Sequence, residues 1–158
     1  MKKLLVTLTI LLTGTMLWAG VPAKVQTLMN EYKHHDGFDH VSIGPLGMTL
    51  MKGIVLSDKD LDAEDRAALG AFESIRRLTI LDFEDAQADV KARFISKLQR
   101  LLNGMELILE TKDSDSRLSI YGVDDGRTVR DCILFDPDGT LIVVKGKIGI
   151  DKLMELAN

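Results

Sequence analysis

Residues 105–147 read MELILETKDSDSRLSIYGVDDGRTVRDCILFDPDGTLIVVKGK, and the period of this stretch decides the fold. Met105, Leu107 and Leu109 alternate with Glu106, Ile108 and Glu110, and Leu118 and Ile120 alternate with Ser119 and Tyr121. A period of two is that of a strand, whose successive side chains point to opposite faces. Turn-forming clusters separate the apolar runs: Asp113-Ser114-Asp115, Asp124-Asp125-Gly126 and Asp136-Pro137-Asp138-Gly139. Strands joined by such short polar clusters are hairpins. The stretch therefore predicts a four-stranded antiparallel meander at about 105–111, 116–123, 127–135 and 140–147.

Outward from the meander the period returns to that of helices. Ile150, Leu153, Met154 and Leu156 mark a closing helix over 150–156, and on the other side Val90, Phe94, Leu98 and Leu101 fall at i, i+4, i+8 and i+11 before Asn103-Gly104. Residues 76–83 read as a strand, and 57–74 as an acidic linker holding a short helix with Asp62 as N-cap and Asp65 in its first turn. Gly44-Pro45 suits a helix start. Leu46, Leu50 and Ile54 share one face of that helix and Met48, Met51 and Val55 a neighbouring one, so it is apolar nearly all round and belongs in a core or an interface. Phe38 to Ile43 reads as a short strand. Before it, Val25, Leu28, Met29 and Tyr32 set an amphipathic helix over 24–33.

Strand, helix, four strands, helix is the order of an α+β layer structure, an antiparallel sheet with helices on one face. The second face has a mixed composition, with Ile108, Tyr121, Cys132, Leu134, Ile142 and Val144 beside Glu106, Glu110, Arg117 and Arg130. A solvated face would be more polar, so the N-terminal helices cover it or it binds a partner, a second copy or an apolar ligand. Ile108, Tyr121, Leu134 and Ile142, with Met48 and Met51 of the apolar helix, are the candidate binding surface.

The same order of elements, with Val41-Ser42-Ile43 leading into a Met/Leu-rich helix, the Ser74-to-Asp82 strand before a long helix, and the closing run from Asp136 to Ile148 followed by a helix holding Leu153, resembles a known family. This is the group of small exported bacterial proteins called domain of unknown function 4252, and the resemblance runs from Lys24 to Leu156. Members cap the last helix with Ser or Thr where this chain has Gly149, a weaker cap by a few tenths of a kcal/mol. The resemblance implies export and a compact α+β fold. It brings no activity and no functional residues.

Composition narrows the remaining possibilities. The chain has 158 residues, with 20 Lys and Arg against 24 Asp and Glu. Lys2 and Lys3 precede Leu4 to Trp18, an uncharged apolar run too short to span a bilayer core of about 30 Å. This is an export signal. Val21-Pro22-Ala23 fits the small-residue rule for cleavage after Ala23, and Ala19 is the second choice. Residues 1–23 are thus the leader and 24–158 one domain, periplasmic or secreted, with no stable membrane anchor once the leader is gone. Cys132 is the only cysteine, so neither an internal disulfide nor a lipid-bearing N-terminal Cys can form. Without the leader 18 basic residues face 24 acidic ones, a charge of −6 that disfavours nucleic acid as a partner.

Few residues offer chemistry. All three histidines lie in His34-His35-Asp36-Gly37-Phe38-Asp39-His40, so His34, His35, His40 and Asp39 are candidate ligands for a transition metal that would serve binding or hydrolysis. A solvated polar turn ending the first helix is the competing reading, favoured by the missing i, i+4 spacing. Asp58, Asp60 and Asp62 imitate half of a calcium loop, but Ala63 and Leu69 stand where Gly and Glu are required. Asp82, Glu84, Asp85 and Asp89 suit a helix N-terminus better than an acid/base pair. Cys132 within a strand reads as a packed thiol, and Arg93, with Asp89 four residues before it, as an ion-paired helix surface. No cofactor motif is present, and the sequence expectation is a non-catalytic binding module.

Overall fold

The structure, a computed structural model, describes residues 20–56, 74–112 and 117–151. In chain order its elements are α1 (Val21–Tyr32), β1 (Asp39–Ile43), α2 (Pro45–Leu56), β2 (Ile75–Asp82), α3 (Ala88–Leu102), β3 (Glu106–Lys112), β4 (Arg117–Asp124), β5 (Thr128–Asp136) and β6 (Thr140–Gly149). The Asp62-capped helix, the acidic triplet around it and the Asp113-Ser114-Asp115 turn fall outside the described residues. So does the closing helix beyond Ile150 and Asp151, which are helical.

All strands pair antiparallel in one six-stranded sheet of order β1-β2-β6-β5-β4-β3. The α3 connection carries the chain from β2 to the far edge. The meander then walks back until β6 docks on β2, with Thr79 opposite Val143 and Leu81 opposite Leu141. Two turns form as their residues dictate. Asp125 accepts hydrogen bonds from the backbone N–H groups of Arg127 and Thr128 and from the Thr128 hydroxyl, and Gly126 takes a φ of +88°. At the next hairpin Asp136 Oδ1 accepts from the Asp138 N–H at 2.8 Å.

The first face of the sheet is covered by α1 and α3. Val25, Leu28, Met29 and Tyr32 of α1 are buried at the expected spacing, against Phe94, Leu98 and Leu102 of α3 and Leu81, Ile133, Phe135, Leu141 and Val143 of the sheet. Aromatic rings organise this core. Phe94 meets Tyr32, Phe38 and Phe83 at centroid distances of 5.1, 5.5 and 5.0 Å, in edge-on and tilted geometries that suit ring quadrupoles. The helix α1 begins at Val21, inside the segment the sequence reading assigns to the leader, and Val21 is buried in the same cluster.

Met48, Ile75, Ile120, Val129, Cys132, Val144 and Ile148 form a separate cluster on the second face. The helix α2 lies on this side against β1 and β2. Tyr121 is a correction to the surface expected on this face. It packs with the first-face core, not beside Ile108, Leu134 and Ile142. In β4 it is Ile120 that faces Leu134, while Tyr121 faces Ile133 of the first-face core, so the strand alternates in the phase opposite to the one expected. Elsewhere β-bulges break the alternation, with register shifts at Leu107/Leu109, Tyr121/Val123 and Arg130/Ile133. An extra residue in one strand moves everything beyond it to the other face. For the same reason Ile108 and Leu109 both pack with the second-face cluster while Leu107 is exposed.

Candidate functional site

The second face keeps most of the surface named from the sequence. Ile108, Leu134 and Ile142 are half-buried and pack on the second cluster. Met48 is buried at 2% exposure and anchors α2, while Met51 on the flank of the helix is exposed. Leu46 and Leu50, one helical turn apart, stand 84% and 68% exposed on the side away from Met48. A helix apolar all round thus buries one side and presents the other. Val41 of the edge strand β1 is exposed as well, opposite Ile80 in register. The leucines sit on the convex side of a helix, not in a concavity, so they suit another protein's surface better than a small apolar ligand.

The histidine cluster comes apart on folding. His34 and His35 are exposed in the turn after α1, and His35 leans on the rings of Tyr32 and Phe38 at 5.1 and 6.2 Å. His40 lies on β1, opposite Leu81 and so on the first face. Among the described residues no three His, Cys, Asp or Glu side chains are placed to hold a metal ion. The metal site expected from His34, His35, His40 and Asp39 is therefore not formed, because adjacent residues diverge and strand β1 carries His40 away. Gly37 sets this geometry with a φ of +79°, and a Cβ there would run into the backbone of Asp85 and Ala86. Among the described residues Nε2 of His40 is buried without a hydrogen-bond partner. Burial first, then the charges of Lys33 and His34, pull its pKa below the ordinary value.

The other chemical candidates resolve into structural roles. Burial, with a smaller contribution from Asp131, pushes the Cys132 thiol up to about 12, so it is protonated at neutral pH. Asp89 pairs with Arg93 at 3.0 Å as the spacing predicts, and Asp82 caps the N–H of Glu84 at 3.0 Å. Lys97 reaches Glu31 of α1 at 2.7 Å and lies 5.2 Å from the Tyr32 ring centre, tying α3 to α1. On the sheet, Glu110 accepts from Arg117 at 2.7 Å and from Ser119, and Arg117 holds its carboxyl below the usual range.

Sequence reasoning did not find the concavities of the surface, and one of them gathers charged side chains from several strands. Between the start of α1 and strands β2, β6 and β5 lies a cavity of about 260 Å³, lined among others by Gln26, Arg77, Thr79, Asp131 and Lys145. The signal available in the sequence was Asp131 itself, a residue that strands avoid, inside a strand and directly before the apolar run Cys132 to Phe135.

A family model described as Domain of unknown function (DUF4252) matches residues 32–156. No curated protein and no solved structure matches the chain.

Proposed function

The chain belongs to the DUF4252 family, whose description names no reaction, and on that premise we propose that it is an exported, non-catalytic module that binds a protein partner through α2 and the adjoining second face. One observation carries the reading: Leu46 and Leu50 stand 84% and 68% exposed on a helix held to the sheet by buried Met48. Large aliphatic side chains left in water on an ordered helix are an unfilled interface. Met51 beside them adds a side chain that adapts to an irregular partner.

Export rests on Lys2, Lys3 and the uncharged run that follows them. Among the described residues no helix is long and apolar enough to cross a membrane.

The test is cross-linked capture from a periplasmic extract of the native host, using the wild-type protein and a Leu46→Lys/Leu50→Lys variant. The wild type is expected to capture a discrete partner that the variant loses, with both proteins melting at the same temperature. Equal capture by the two, or cross-linking of the chain only to itself, would overturn the reading.

A further inference from the structure

The cavity at the start of α1 lies on the first face of the sheet, across from α2, and is independent of the partner surface. Its walls carry opposite charges from different strands. Arg77 on β2 is directly opposite Lys145 on β6, so two cations share one side of a strand pair. Like charges in that position repel and are ordinarily avoided. Among the described residues neither cation has a carboxylate within ion-pair distance.

Asp131 of β5 supplies the opposite pole. It sits in the irregular stretch between Arg130, which faces Lys147, and Ile133, which faces Val143. Its φ is +51°, the left-handed region, where no other residue except glycine is found among those described. Glycine is the least strained occupant of such a bulge position, and Asp is one of the few side chains that tolerate it. A side chain kept against that strain, charged and lining a cavity, points to use. Thr79, only 1% exposed, and Gln26 of α1 add hydrogen-bonding groups, and Val143 and Val144 add apolar wall. The volume is below the roughly 300–1,000 Å³ typical of drug-sized ligands, which limits the occupant to a small molecule.

We propose that this cavity binds a small zwitterion of the amino-acid or dipeptide kind, its carboxylate held by Arg77 and Lys145 and its ammonium group by Asp131. Arg77 offers a planar fork that a carboxylate fills with two hydrogen bonds. Lys145 is a point charge that tightens the same pole. An ammonium group placed at the other end meets the one acid lining the cavity. Such a ligand relieves the Arg77–Lys145 repulsion and the isolation of Asp131 together, which an anion alone does not.

Calorimetric titration of a purified chain beginning at Gly20, which keeps Pro22 and Ala23 in the cavity wall, tests the assignment, with glycine and glycylglycine as probes and acetate and ethylamine as single-charge controls. At least one zwitterion is expected to bind, with both controls far weaker. The affinity is expected to fall about tenfold to a hundredfold in Arg77→Gln, the loss of one charge-assisted contact. The decisive variant is Asp131→Gly. It removes the carboxylate and suits the backbone, so it is expected to abolish zwitterion binding while raising the melting temperature. Failure of both zwitterions to bind at millimolar concentration would overturn the proposal, as would acetate binding equally well or Asp131→Gly binding unchanged.

Discussion

The two faces of the sheet are built from different residues and closed in different ways. The first is aromatic: Tyr32, Phe38, Phe83 and Phe94 interlock beneath two helices, and cations cross its rim, Lys91 over Phe83 and Lys97 over Tyr32. The second is aliphatic, with Met48 as the buried contact of α2, and its side chains follow a path broken by bulges. A face covered by long helices tolerates large rigid rings, because each ring has neighbours on all sides. The second face ends at exposed leucines instead, and that difference separates the part of the molecule that holds the fold from the part offered to a partner.

The largest expected effect strikes the first face. Phe94→Ala removes the ring at the centre of the aromatic group and is expected to cost about 3–5 kcal/mol, read as a loss of midpoint in chemical unfolding. A cost of less than about 1 kcal/mol would show that the aromatic group does not carry the fold.

The start of α1 sharpens the comparison next. A chain beginning at Lys24 lacks Val21, which is buried in the first-face core, whereas one beginning at Gly20 keeps it. The shorter chain is expected to be less stable by about 1.5 kcal/mol, the value of burying one valine. Thermal melts of the two chains measure this, and the intact mass of the exported protein reads which one the cell makes.

A smaller, pH-dependent effect belongs to His40. Its pKa is lowered in the folded protein from 6.5, so below that pH the unfolded chain binds more protons than the folded one. Stability should therefore fall as pH drops from 7 to 5, and His40→Gln should flatten that part of the curve. An unchanged slope in the variant would assign the acid sensitivity to other groups. The smallest effect is expected on the second face. Leu50→Gln should change stability by no more than about 0.5 kcal/mol, because the side chain is already in water. A loss well beyond that would mean that Leu50 is packed in solution and would remove the exposed row from the binding surface.

Local rules carried much of the architecture. The Asp124-Asp125-Gly126 and Asp136-Pro137-Asp138-Gly139 clusters became turns because their side chains bond their own backbone, a property that needs no distant partner. The burial of Val25, Leu28, Met29 and Tyr32 followed from helical spacing alone. Tyr121 went to the wrong face because the phase of β4 is set by the register in which Ile120 meets Leu134 of β5, which alternation within one strand does not encode. The candidate site was legible to the same degree. Met48, Met51, Leu134 and Ile142 were visible as apolar excess, whereas the side of α2 that stays in water was not.

The sequence by itself determined the strands, the helices, the turns between them and the apolar character of α2, since each depends on residues within about two helical turns of one another. Only the tertiary structure decided the order of strands, the parting of His40 from His34 and His35, and the meeting of Arg77, Asp131 and Lys145 around one cavity. The strand order and the cavity hang on β6 returning to pair with β2, and the place of His40 on β1 pairing with β2, contacts between segments far apart in the chain over which local propensity carries no information.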